Sequence, residues 1–348
     1  MITEDRLITL LSEFKQLEID QQIDYKKFYL YSLITHSTAI EGSTVTEVEN
    51  QLLFDEGISA KGRSMSEQLM NLDLKAAYEQ AMKYASSGED ITIATLKNLA
   101  SIVMKNTGTV YSTSLGELSS ANGDLRLLNV TAGAGGKSYM NYSKVPHRLQ
   151  EMCDSINQRR KSIDKSNIID CYNLSFDLHF LLVTIHPWAD GNGRMSRLVM
   201  NQLQFEMGII PTIIHRESKA EYIEALIATR EEDDINIFRE FMLKEHARNI
   251  EQRIENFKTS AKNDLTIDVP VNDPVNVPVN LTEREVKIIE AMGENSTITA
   301  KSLSENLGVS DKTIKRDIAS LKERGIIERQ GSDKSGNWVV KNCSLYKR

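Results

Sequence analysis

The sequence predicts a mainly α-helical chain made of one large helical domain and one small basic domain, and three observations carry that prediction. Apolar residues recur at three-and-four spacing over long stretches of the first 265 residues. A proline-interrupted segment, residues 266–280, then separates two regions of opposite net charge. Beyond it, residues 281–348 read as three short helices followed by two β-prone runs.

A chain of 348 residues exceeds the usual size of one cooperative core, and with 40% hydrophobic and 26% charged residues it reads as an ordinary globular protein. The helical stretches are Asp24 to Ile34, Met65 to Tyr84, Val145 to Gln158, Leu174 to Ile185, Arg194 to Met207 and Ile235 to Phe257. Ser119 to Tyr142 differs: Gly123, Gly133, Gly135 and Gly136 surround Leu125 to Val130, which reads as a short hairpin or flap. Asp, Glu or Lys interrupts the apolar runs before 18 residues, and the acidic start lacks the basic end of a signal peptide. No membrane span is expected, and the cytoplasm is the expected compartment. Three cysteines, Cys153, Cys171 and Cys343, without C-x-x-C spacing, suggest neither a disulfide framework nor a zinc site. The net charge of -7 excludes a chain that coats nucleic acid over its whole surface. From Asn280 onward, however, 13 Lys and Arg outnumber 10 Asp and Glu.

Chemistry concentrates in His186-Pro187-Trp188-Ala189-Asp190-Gly191-Asn192-Gly193-Arg194-Met195-Ser196-Arg197. Pro187 stops the helix that ends at His186. Gly191, Asn192 and Gly193 can turn backbone N–H groups inward, and a new helix opening at Arg194 aims its positive end at the same loop. Arg194 and Arg197, three apart, can reach one anion from one helix face. Asp190 offers a hard oxygen ligand, and Mg²⁺ commonly takes one or two carboxylates plus phosphates and water. A base, an acid, a phosphate loop and two arginines within 12 residues supply the parts of a phosphate-transfer site. Trp188 is assigned to the core as the anchor of the loop.

This run resembles the signature of the Fic family: His, Pro, an aromatic, any residue, Asp or Glu, Gly-Asn-Gly-Arg, any two, Arg. The resemblance implies a helical fold that transfers AMP from ATP to a Ser, Thr or Tyr hydroxyl of a protein. It assigns His186 as general base, Asp190 as Mg²⁺ ligand, Gly191 to Gly193 as the phosphate loop, and Arg194 and Arg197 as clamps on the β- and γ-phosphates. A lysine at position 193 would have pointed to phosphate transfer instead. By the same resemblance, Leu125 and Leu127 lie in a flap that docks the target by strand addition. Tyr222 falls where relatives place a tyrosine near adenine, its alternative being a core aromatic.

Ser37 and Glu41, four apart and followed by Gly42, share a helix face. They resemble the family's inhibitory motif, which implies that Glu41 pairs with Arg197 and holds the enzyme off. The domains implied are a Fic catalytic domain at 1–265 with its inhibitory helix, the linker, and a module at 281–348 that resembles a winged helix-turn-helix domain. In that module Lys312, Lys315 and Arg316 would meet DNA, although such domains also dock proteins. Implied partners are ATP, a hydroxyl-bearing protein that could be the chain itself, DNA and further copies of the chain, with no membrane. The rival reading is a non-catalytic regulator in which nucleotide occupancy controls DNA binding.

Overall fold

A computed structural model describes residues 3–131, 138–264, 283–323, 326–330 and 337–340. It divides into two compact units, Met1–Val269 and Pro270–Arg348, each with its own core. The linker expected at residues 266–280 lies outside the described residues.

The first unit runs α1 (Thr3–Gln16), α2 (Tyr25–Ile40), α3 (Glu47–Asp55), α4 (Met65–Ser87), α5 (Ile93–Val103), β1 (Val110–Thr113), β2 (Gly116–Ser119), α6 (Val145–Ser162), α7 (Ile168–Ile185), α8 (Asn192–Glu206), α9 (Lys219–Glu232) and α10 (Ile235–Asp264). Capping boxes start α3 at Thr46 with Glu49, α4 at Ser64 with Glu67 and α5 at Thr92 with Thr95. Each box satisfies N–H groups that a helix start otherwise leaves open.

α7 is apolar all round because two cores claim it. Leu174, Leu178, Leu182 and Ile185 join a cluster with Trp188, Leu198, Val199 and Leu203. Ile169, Tyr172 and Phe176 join a second with Leu7, Leu11 and Phe14 of α1 and Phe238, Met242 and Ile250 of α10. Burying each such side chain contributes roughly 1.5–3 kcal/mol. The mean hydropathy of α7, 1.4 over 18 residues, reaches that of a membrane span, although Asp170 and Asp177 interrupt its apolar run. Here 67% of it is buried in the protein, with Asp177 held by Arg159 at 2.6 Å and Arg239 at 2.7 Å. α8 lies directly on α7, so the turn between them is held at both ends by the core.

The regular hairpin is β1–β2, with Val110 opposite Ser119, upstream of the flap expected within Ser119 to Tyr142. That expectation is corrected in part: residues 123–130 form no ladder. Gly123 presses against α5, where an added Cβ would meet the Lys97 carbonyl oxygen at 2.0 Å, and Arg126 turns into the interior at 1% exposure. A segment held inward at two points cannot pair as a free strand. An isolated bridge joins Thr131 to Ser138, and the Tyr139 N–H donates to the Val130 carbonyl at 3.0 Å. Gly133, Gly135 and Gly136 lie outside the described residues.

The second unit contains α11 (Glu283–Glu294), α12 (Ala300–Leu307), α13 (Asp311–Glu323) and an antiparallel pair, β3 (Ile327–Gln330) with β4 (Asn337–Val340). Thr299 caps α12 by accepting from the Ser302 N–H, and Gly308 at φ 64 ends it. Ile288, Met292, Leu303, Ile314, Leu321 and Ile327 make the core. Trp338 of β4 closes over it, its indole N–H donating to the Ile298 carbonyl at 3.1 Å. This is the helix-turn-helix with a two-stranded wing that the tail predicts. Cys343 and residues 331–336, where the sequence expectation puts a turn, lie outside the described residues.

Candidate active site

α7 ends at His186, which takes the left-handed conformation at φ 52. That turn points its ring back along the helix, with Nδ1 3.3 Å from the Val183 carbonyl. A carbonyl only accepts, so this contact requires the proton on Nδ1 and leaves the Nε2 lone pair free. Burial pushes the His186 pKa down to about 4, against the Val183 bond and with help from the charges of Arg126 and Arg230. Near pH 7 the ring is neutral and ready to accept a proton.

Trp188, 1% exposed, anchors the loop as expected: its indole N–H donates to the Gly123 carbonyl at 3.2 Å. Asn192 clamps the same residue from the other side. Its side-chain oxygen accepts from the Trp188 N–H at 3.1 Å and its amide donates to the Trp188 carbonyl at 2.9 Å. The Asn192 side chain is therefore spent on shaping the turn. What remains for an anion is the main chain, since the first helical bond of α8 runs from the Met195 N–H to the Gly191 carbonyl. Asp190 projects outward with its side chain 58% exposed, one oxygen accepting from the Gly191 N–H at 2.6 Å. Its other oxygen is available to a hard cation.

The two arginines, expected to reach one anion from one helix face, both border the Gly191–Gly193 turn but take different partners here. Arg194 lies over the end of α5, donating to the Val103 carbonyl at 3.5 Å and the Met104 sulfur at 3.1 Å; its Nε has no partner among the described residues. Arg197 crosses to α2. Its Nε donates to the Ser37 hydroxyl at 2.8 Å, and Nη2 donates to the Ser37 carbonyl at 2.9 Å and to Glu41 Oε1 at 2.6 Å. The Ser37 and Glu41 spacing thus does place both on the face that meets Arg197, 156 to 160 positions away. Burial would raise the Glu41 pKa, but the charge and hydrogen bond of Arg197 outweigh it and hold the carboxyl below its ordinary value. Gly193 makes the approach possible: a Cβ there would sit 2.4 Å from Glu41 Oε1.

Tyr222 requires a correction. It is 2% exposed, packed on Phe238 and Phe241, with its hydroxyl 3.0 Å from His179 Nε2. α9 turns it into the second core, as the core alternative has it, and its hydroxyl also neighbours Arg197. Leu125 and Leu127 are both half-buried, and Leu125 packs on the first core. Sequence reasoning misses Arg126 between them and Tyr139 beyond them. Arg126 donates to the His186 carbonyl at 2.7 Å, and the Tyr139 ring stacks on the His186 ring at 3.8 Å and 17°. The available signal was a lone arginine between two leucines.

In the second unit, Lys312, Lys315 and Arg316 are exposed on α13, with Lys315 paired to Asp311 at 2.7 Å.

Comparison with known proteins accords with this geometry. The Fic/DOC family profile matches residues 90–204, and an HTH domain profile matches residues 284–332. The chain is 26% identical over 241 residues to protein adenylyltransferase fic-1 of Caenorhabditis elegans, covering 68% of this chain and 43% of that protein. It is 29% identical over 211 residues to protein adenylyltransferase Fic of Drosophila grimshawi, covering 60% and 40%. The chain therefore spans about two fifths of the length of these curated relatives. Among solved structures it is similar to a Fic domain containing signaling protein from Bacteroides thetaiotaomicron, with TM-score 0.59, 21% identity and coverage of 73% of this chain and 97% of that one. It is also similar to a Fic family protein from Desulfovibrio desulfuricans, with TM-score 0.51, 18% identity and coverage of 97% and 96%. The similarity to the Fic/DOC family thus covers residues 90–204, and that to an HTH domain covers residues 284–332.

Proposed function

We propose that this chain transfers AMP from ATP to a Ser, Thr or Tyr hydroxyl of a protein, and that Glu41 restrains it. The observation that carries this reading is His186, a neutral imidazole with its Nε2 free, beside a helix start and two buried arginines. In the proposed reaction His186 takes the proton of the attacking hydroxyl. The hydroxyl oxygen bonds to the α-phosphorus, the bond from that phosphorus to the bridging oxygen breaks, and pyrophosphate leaves. The N–H groups opening α8, with Arg194 and Arg197, would hold the β- and γ-phosphates as charge builds on them. Asp190 is suited to hold Mg²⁺, which would neutralise phosphate charge. Among the described residues no group of three or more His, Cys, Asp or Glu could by itself hold a metal ion, which fits an ion that takes its other ligands from phosphate and water.

In the resting state Arg197 is committed to Ser37 and Glu41, so ATP must displace that pair before its γ-phosphate is held. A purely nucleotide-sensing regulator would need phosphate contacts but no base, and the free Nε2 of His186 favours catalysis. The exposed basic side chains of α13 support a further role of the HTH unit on duplex DNA, which would direct the enzyme to a DNA-associated target. A cytoplasmic setting is consistent with the unpaired, buried thiols of Cys153 and Cys171.

The test is incubation with α-labelled ATP and Mg²⁺, comparing the chain with Glu41→Gly, followed by mass spectrometry of the chain and of lysate proteins. Glu41→Gly should gain label transfer. Adding His186→Ala should lower it by ~10²–10⁴-fold while nucleotide binding persists. Folded Glu41→Gly that transfers no AMP to any protein sinks the reading.

A further inference from the structure

We infer that Arg126 is a positioning residue that joins two described legs, residues 123–131 and 138–142, to the main chain of His186, so that the placing of these legs and the orientation of the base are coupled. The inference rests on His186 being the base of the proposed reaction.

Arg126 is 1% exposed, and no carboxylate among the described residues pairs with it. Burying a guanidinium without a counter-charge is costly unless its donors are spent on good acceptors. Its donors go to three carbonyls on three different stretches of chain. Nε donates to His186 at 2.7 Å, Nη1 to Leu128 at 2.9 Å and Nη2 to Met140 at 2.6 Å. Its own N–H donates to the Pro187 carbonyl at 2.9 Å. Leu128 stands on the outgoing leg and Met140 on the returning one, so a planar fork gathers both legs and fixes them to the His-Pro junction.

The consequence at His186 is geometric. The residue holds a left-handed conformation, φ 52, which most side chains avoid. Its N–H is tied to Leu182 and its carbonyl to Arg126, so both peptide groups that set the ring direction are fixed. The ring is then clamped by Val183 on one edge and by Tyr139, carried on the returning leg, against its face. Arg230 lies on Tyr139 in turn, 5.7 Å from the ring centre. Without the Arg126 fork, the returning leg loses its tie at Met140, one residue from Tyr139. The imidazole would keep its sequence neighbours but lose its cover. A loosely held base costs rate, and a displacement of about 1 Å can cost roughly 10²-fold.

The experiment uses the full chain carrying Glu41→Gly, compared with the same chain also carrying Arg126→Met, Arg126→Lys or, as a matched buried-arginine control, Arg160→Met. Arg160 is 5% exposed and bonds Asp90 and Glu206 away from His186. Readouts are kcat and KM for ATP, the pH dependence of kcat/KM, and the ring titration of His186 by NMR. Arg126→Met should lower kcat on the order of 10–100-fold with KM for ATP little changed. It should also move the acidic limb of the profile and the His186 titration up from about 4. Arg126→Lys, which keeps the charge but cannot span three carbonyls, should follow Arg126→Met in kcat. Arg160→Met should lose stability without moving the His186 titration. The proposal is overturned if both Arg126 variants stay folded and leave kcat and the ring titration where Arg160→Met leaves them. If Arg126→Met does not fold, Arg126→Lys decides alone. The ring titration needs no turnover, so a chain inactive in every form would refute the transferase reading while still showing whether Arg126 governs His186.

Discussion

Replacing Glu41 by glutamine should let the chain bind ATP more tightly, and the size of the gain follows from the contacts of Arg197. Arg197 makes two hydrogen bonds to Ser37, at 2.8 and 2.9 Å, and one to Glu41 at 2.6 Å. Only the last joins two charges. Hydrogen bonds to charged groups contribute about 1.5–3 kcal/mol, and with the Glu41 side chain 36% exposed the screened, lower end applies, about 1.5 kcal/mol. Since about 1.4 kcal/mol is a tenfold change in an equilibrium, ATP affinity should rise roughly tenfold. AMP has no γ-phosphate for Arg197 to hold and should bind as before. Calorimetric titration of both nucleotides into parent and variant measures this directly. The substitution also leaves the buried Arg197 without a counter-charge, so Tm should fall when nucleotide is absent. Glu56→Gln, exposed beyond α3, is a suitable control. Glu47 is not, because it accepts from Ser32 at 2.6 Å and pairs with His36. The reasoning fails if folded Glu41→Gln binds ATP like the parent, or if AMP affinity rises as much as ATP affinity.

Gly193→Ala should force the Glu41–Arg197 pair apart and cost ~1–3 kcal/mol by chemical denaturation; with Glu41→Gly already present most of that cost should vanish, and an additive pair would refute the proximity of the two sites. Burial holds His179 and His246 near pKa 3 and His186 near 4, below the unfolded value of 6.5. The unfolded chain therefore takes up these protons first. The stability they contribute is complete above pH 6.5 and should erode as pH falls towards 4, by about 1.4 kcal/mol per histidine per pH unit. A stability profile that stays flat between pH 6.5 and 4 would contradict this burial. Duplex DNA binding by the full chain should weaken with salt, and changing Lys312, Lys315 and Arg316 to alanine should flatten the log–log slope by about one unit for each phosphate those side chains neutralise; an unchanged slope would assign them to solvent.

The parts of the site legible in the sequence were those whose partners are close in the chain or whose residue types permit little else. His186 to Gly191 is one contiguous turn between two helices, so the break at Pro187 and the helix start after Gly191 followed from residue types, although α8 opens at Asn192 and the partners of its arginines did not follow. Ser37 and Glu41 were legible as a pair because a helix fixes their common face, and the family resemblance supplied Arg197 as their distant partner. Arg126 was not legible, since its acceptors are backbone carbonyls, which leave no mark on residue identity. Asn192 was placed in the phosphate loop through its backbone N–H, and the sequence did not show that its side chain closes the turn on Trp188. For Tyr222 the resemblance offered a place near adenine with a core aromatic as the alternative, and the packing against Phe238 and Phe241 of α10, which the sequence does not show, favours the alternative. The regular hairpin was missed at Val110–Ser119 because two four-residue strands with exposed Val110 and Leu115 carry no alternation strong enough to distinguish them from a loop.

The 2.4 Å between a Cβ at position 193 and Glu41 Oε1 also constrains how this chain can change over generations. A descendant that gains a side chain at 193 while Glu41 remains must accommodate a clash beside a buried arginine, and it loses stability before it gains any new chemistry. A descendant that loses Glu41 first meets only the milder approach to Arg197 Nη1 at 3.2 Å, which a small shift of the guanidinium relieves. The history of substitutions at the two sites should therefore run in one order, with Glu41 lost before a side chain appears at 193. Reconstructed ancestors along such a lineage would show glycine at 193 without glutamate at 41 as the intermediate.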